Sequence, residues 1–323
     1  MKKTYLYWLL SAIILGACNP YAHITKMKSM KEDLQYKFPV KYAELSNDLE
    51  IAYVDQGEGE DVLLFIHGLG SYIPSWQHEI DILSKKYRCI AIDLPGFGKS
   101  DKPNHSGMMS YYATVVKEFV DHLQLSNYTL VGHSMGGQIS MTYSLMYPEH
   151  AKAMVLIAPA GIEGFTDGQK GWFEDVMTPR LVRLTNTDAI ETNLAYNFYD
   201  FPADARFMVE DRIAMRTASD FPNYCLAVSR SVKGMLTEPV IDKLGGISLP
   251  TLMIFGEQDN LIPNRYLNPG TTKEVALFGA SMIPNCKMVL IDKAGHFVGY
   301  EKATEVAAEI TSFIQVTSKK QTL

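Results

Sequence analysis

The chain has 323 residues, 47% of them hydrophobic and 11% aromatic, enough apolar material for one large core or a core with a smaller appended unit. A charged fraction of 20% argues against disorder, and a net charge of −6 with a pI near 5.8 leaves no basic footprint for nucleic acid. There is no internal repeat, no low-complexity tract, and no CxxC or Cys/His cluster of the kind that holds a metal.

The amino end reads as a processing segment. MKK supplies a positive start, and TYLYWLLSAIIL (residues 4–15) is an apolar run of signal-peptide length, too short to span a bilayer comfortably. Leu15-Gly16-Ala17-Cys18 follows. This tetrapeptide resembles the lipobox of bacterial lipoproteins, in which the chain is cut before the cysteine and the cysteine then carries lipid. The resemblance implies a signal peptide over 1–17, a lipid on Cys18 with the membrane as partner, and a place outside the cytoplasm in the bacterial cell envelope. Residues 18–38, polar and rich in lysine, read as a tether. Once Cys18 is set aside, Cys89, Cys225 and Cys286 make no complete disulfide framework, and Cys89 in RCIAIDL reads as a buried thiol.

From about residue 39, strand and helix patterns alternate. YAELS and LEIAYVD are a starting pair of strands separated by Asn47-Asp48. DVLLFIHG is a short apolar run ending in glycine, as a buried parallel strand does. SWQHEIDILSKKY has helical spacing, RCIAIDLPGFG is a strand entering a Gly/Pro turn, and MMSYYATVVKEFVDHLQL is a helix. NYTLVGHS is a strand, MGGQISMTYSLMY a helix stopping before Pro148, and AKAMVLIAPAG a strand. Residues 161–244 break the alternation. They are rich in Met, Phe and Tyr at helical spacing, and read as a helical cap inserted between two strands of a core formed by 39–160 and 245–323. The alternation resumes with LPTLMIFGEQD, CKMVLIDKAGH and the helix ATEVAAEITSFI. The expected fold is therefore α/β, a mostly parallel, doubly wound sheet with helices on both faces.

GHSMGG sits where the strand NYTLV turns into a helix. Open α/β sheets bind ligands at the C-terminal ends of their strands. A serine there, between glycines that avoid collision, is the G-x-S-x-G nucleophile elbow, and Ser134 is the candidate nucleophile. A serine hydroxyl needs a base, and the base an orienting acid, which follow in the chain order Ser, acid, His. LMIFGEQDNLIP offers Asp259, chosen as the deeper residue of its loop, with Glu257 as alternate. VLIDKAGHF supplies His296, which has no downstream competitor after Asp259. The two oxyanion donors are expected to be the backbone N–H groups of Met135 and of Leu69 in IHGLGS, with His67 bracing that loop and His133 packing beside the nucleophile.

HGLG, DLPGFGKSD, GHSMGG, GEQDNLIP and AGHF, in this order, resemble the α/β-hydrolase superfamily over about residues 40–316, with 161–244 in the position of that family's cap. The resemblance implies catalysis without a cofactor. A serine at the nucleophile position disfavours the haloalkane dehalogenase and epoxide hydrolase branches. The stretch between Pro263 and Pro284 departs from the pattern and reads as an insertion near the acid. Carboxylic-ester hydrolysis is the favoured reading, on an apolar acyl or alkyl ester. Three other readings stay open: a C–C hydrolase of ring-cleavage products, a cofactor-free perhydrolase, and a slow, hydrolase-derived binding protein.

Overall fold

The computed structural model describes residues 21–321, so the signal-peptide segment and Cys18 lie outside the described residues. Eight strands form one sheet: β1 (Lys41–Leu45), β2 (Leu49–Gln56), β3 (Val62–Ile66), β4 (Arg88–Ile92), β5 (Tyr128–His133), β6 (Ala153–Ile157), β7 (Thr251–Gly256) and β8 (Cys286–Ile291). Their order is β1-β2-β4-β3-β5-β6-β7-β8. β2 runs antiparallel to both β1 and β4, and all other pairs are parallel. This is the mostly parallel, doubly wound sheet expected from the alternation, and it agrees with the fold that the resemblance to the α/β-hydrolase superfamily implies.

The central strands are buried along their whole length and mostly apolar, because both faces are covered. Successive side chains point to opposite faces, so Leu64, Ile66 and Leu130 join one core cluster while Leu63, Phe65 and Val131 join the other. After β3 the chain crosses to β4 on one side and returns to β5 on the other. The strand order thus reverses between β3 and β5, the crevice where open α/β sheets take their ligands.

Between β6 and β7 lie helices Asp167–Val176, Pro179–Leu184, Thr187–Tyr196, Arg206–Met215 and Phe221–Thr237, with no strand among them. Two other stretches differ from their reading in the sequence. Residues 264–283 are not an insertion: helix Thr272–Met282, opened by a Thr271/Glu274 capping box, is the crossover from β7 to β8. Parallel neighbours cannot be joined by a tight turn, so this connection has to be long. Residues 18–38 are not a free tether over their described part. Tyr21, Met30 and Leu34 are buried. Met30 N–H and Met27 N–H donate to Asp220 and Thr217, and Lys28 C=O accepts from Ser219 N–H. Tyr36 donates to the buried carboxylate of Asp93. Four lysines make this segment look like a solvated tether, but its apolar side chains decide its course.

Candidate active site

Ser134 follows β5 with φ 52° and ψ −118°, a conformation costly for a residue bearing a Cβ. The surroundings over-determine it. Its N–H donates to Ile157 C=O at 3.0 Å, and its own C=O accepts from Gly137, Gln138 and Ala160. A Cβ on Gly132 would stand 2.3 Å from Gly136 O, and one on Gly136 would stand 2.0 Å from Ile66 O. Helix Met135–Met146 therefore leaves Ser134 directly, and Met135 N–H, at its first position, has no helical acceptor.

The loop after β3 lies against the elbow. A Cβ on Gly68 would come within 3.1 Å of Ser134 Cβ. His67 braces this loop, its Nδ1–H donating to Gly68 C=O at 2.8 Å and its Nε2 accepting from Leu94 N–H at 3.0 Å. Burial pushes its pKa down to about 4, so it is neutral at neutral pH. From above, Arg212 and Tyr224 of the inserted helices both donate to Gly70 C=O. Two flanking elements thus fix the path of the chain around Leu69.

Asp259 and His296 meet. His296 Nδ1–H donates to Asp259 Oδ2 at 2.9 Å, with both side chains almost wholly buried. The other oxygen, Oδ1, accepts from Leu261 N–H at 2.7 Å and Ile262 N–H at 3.0 Å, which fixes the carboxylate and with it the imidazole. Glu257, two residues earlier, is exposed. His133 donates through Nε2 to His296 C=O at 3.0 Å, and its ring lies 4.8 Å from the His296 ring. Burial, and next the neighbouring His296, hold its pKa well below the usual range.

Ser134, Leu69, His133 and His296 line one cavity of about 680 Å³. Its apolar lining includes Val228, Val232, Met235 and Leu236 from helix Phe221–Thr237 and Phe165, Phe173 and Met177 from the start of the insertion. Among the described residues no group of three His, Cys, Asp or Glu side chains could hold a metal. An immobilised carboxylate–imidazole pair beside a serine at a helix N-terminus can activate a hydroxyl and stabilise an oxyanion.

Sequence reasoning missed three supporting residues. Glu301 accepts from Gly295 N–H at 2.7 Å and from Tyr199 and Asp200 N–H, tying the histidine loop to the insertion. Asp93, whose pKa burial raises to about 6, accepts from Ile73 and Lys99 N–H and joins the loop after β3 to the turn after β4. Glu163, beyond the Ala158-Pro159-Ala160 end of β6, accepts from Asn264 N–H and Asn268 on the Asp259 loop. Only the DLPGFGKSD motif gave a local signal, and it marked Asp93 alone.

A family model for the alpha/beta hydrolase fold matches residues 61–303, three quarters of the chain. The chain belongs to the α/β-hydrolase fold family. It is 26% identical over 261 residues to the dihydrolipoyllysine-residue acetyltransferase component of the acetoin cleaving system of Pseudomonas putida, covering 80% of this chain and 65% of that protein, so it spans less than two thirds of that relative. It is 26% identical over 288 residues to a 2-hydroxy-6-oxononadienedioate/2-hydroxy-6-oxononatrienedioate hydrolase of Burkholderia vietnamiensis, covering 85% of this chain and 94% of that one. The solved structure of an esterase from Exiguobacterium antarcticum shares the fold with a TM-score of 0.72 at 19% identity, over 85% of this chain and 99% of that one.

Proposed function

We propose that the protein hydrolyses carboxylic esters through an acyl-enzyme on Ser134. The observation that carries this reading is the convergence on one cavity of a strained serine and a buried histidine held by Asp259. Ser134 Oγ attacks the ester carbonyl while His296 accepts its proton, with Asp259 holding the imidazole tautomer. The N–H groups of Leu69 and Met135 bind the oxyanion of the tetrahedral intermediate. His296 returns the proton to the leaving alcohol, then draws one from water, which frees the acid. The apolar lining from Val228 to Leu236 suits an apolar acyl or alkyl group. We place the enzyme outside the cytoplasm, held to the membrane by lipid on Cys18.

One observation favours a second reading, hydrolysis of a C–C bond in a vinylogous diketone. Arg212 lines the cavity beside Gly70 with no ion-pair partner among the described residues, a position suited to a substrate carboxylate, and the Burkholderia vietnamiensis relative is named for a dioate substrate. A panel of p-nitrophenyl esters of rising chain length, run beside a vinylogous diketone acid, separates the two. Ser134→Ala is expected to lower kcat on the ester by about 10⁶ and to abolish labelling by a fluorophosphonate. Labelling of that variant with turnover intact would remove Ser134 from the mechanism.

A further inference from the structure

The inserted helices carry an apolar outer face as well as an apolar inner one. Trp172 is 49% exposed, Leu181 46% and Leu184 61%, on helices Asp167–Val176 and Pro179–Leu184. Both helices rest their other sides on helix Phe221–Thr237. Tyr266, 85% exposed, lies close by in the chain path: its neighbour Leu267 C=O accepts from Gln169, one helical turn before Trp172. Arg180 and Arg183 each precede one of the two leucines, are exposed, and form no ion pair among the described residues. The acids nearby are partly occupied: Asp167 pairs with Lys170 and Glu174 with Lys233, while Asp175 is exposed.

The place of Tyr21 bears on what covers this face. Tyr21 is buried on helices Thr187–Tyr196 and Arg206–Met215, packed against Ile190 and Val209, with its ring under the Arg206 guanidinium. Cys18 lies three Cα–Cα steps before Tyr21, a reach of about 11 Å at most. Helix Thr187–Tyr196 starts three residues after Leu184. A lipid on Cys18 would therefore hold the molecule by its inserted helices and not by the opposite end of the sheet.

We infer that the face formed by Trp172, Leu181, Leu184 and Tyr266 docks on the lipid bilayer and presents the cavity beneath it to bilayer-borne, amphiphilic esters. The inference rests on the anchor at Cys18. Helix Asp167–Val176 separates the two environments, with Trp172 outside and Phe173 lining the cavity. A few exposed apolar side chains bind lipid weakly by themselves, but a covalent anchor beside them makes docking intramolecular and holds one orientation. Arg180 and Arg183 add attraction to anionic headgroups. Hydrolysis there needs only water, which supplies hydroxyl to the acid and a proton to the alcohol.

The test uses the full chain, expressed with its own leader and reconstituted in vesicles of phosphatidylglycerol and phosphatidylcholine, with or without brominated acyl chains. In the mature chain, which lacks Trp8, brominated lipid should quench tryptophan emission in the wild type and not in Trp172→Phe, since Trp76 is buried. Leu181→Ser with Leu184→Ser should lower hydrolysis of a vesicle-borne ester about tenfold or more and leave a soluble short ester within about twofold. Unquenched Trp172 with an unchanged vesicle rate overturns the proposal. So does a detergent-resistant dimer that the two serines dissociate, which would make this face a contact between copies. Quenching without turnover of any ester would sink the esterase reading and sustain docking. Quenching in a mature chain with no lipid mass would sink the anchor and sustain docking through the face alone.

Discussion

Glu79 shows what a single buried group does to this molecule. It lies on helix Gln77–Leu83 with its Oε2 lacking a hydrogen-bond partner among the described residues, close against Gly299 and near Trp76 and His133. Burial pushes its pKa up from 4.5 to about 8, so it is protonated at neutral pH. The native state then holds a proton that the unfolded chain releases. Its contribution to stability is full below 4.5 and is lost as pH rises through about 8. Glu79→Gln removes that titration. Urea unfolding should show the variant gaining on the wild type between pH 5 and pH 9, by roughly 4 kcal/mol at most; a constant difference would show that Glu79 stays charged. The acid of the site gives a second prediction. Asp259→Asn should keep the fold but favour the wrong imidazole tautomer, lowering kcat by about 10⁴, whereas Glu257→Gln, at an exposed position, should leave kcat nearly unchanged. Reversed behaviour of the two variants would move the role to Glu257.

Among the elements, the segment before β1 has the least expected role. Residues 21–38 run across the inserted helices and then the core, touching Ile190 and Val209, next Thr217, Ser219 and Asp220, and finally Asp93. They bridge the two parts of the molecule from outside. Met30, fully buried in the main core cluster, sits midway along this path. Met30→Ala should cost about 2–5 kcal/mol in chemical denaturation, as a core truncation does. A free tether residue would change stability by less than about 0.5 kcal/mol, so a value that small would mean the segment is detached in solution. A similar bridge crosses the site, where Arg212 and Tyr224 hold Gly70 C=O and so let the inserted helices steer the loop that carries Leu69.

At the scale of the whole molecule, the lipid anchor proposed at Cys18 would decide where the chemistry takes place. The mature chain should begin at Cys18 and carry thioether-linked diacylglycerol, and Cys18→Ser should leave uncut precursor. Intact-mass spectrometry of detergent-extracted protein checks both, and a species lacking residues 1–17 without lipid mass would rule the anchor out. The sequence by itself determined the alternation of strands and helices, the elbow at Ser134 and the chain order that singled out His296 and narrowed the acid to Asp259, with Glu257 as alternate. Each of these depends on residues within a few positions of one another: glycines two residues either side of Ser134, or an apolar run ending in a short loop. Only the tertiary structure decided that Asp259 and not Glu257 faces His296, that Arg212 reaches Gly70, that Glu301 holds the histidine loop, and that a lysine-rich stretch lies packed on the fold. Those contacts join surfaces that are far apart in sequence or selected by the direction a loop side chain takes. Composition averages over such side chains, and local spacing carries no record of which distant partner they meet.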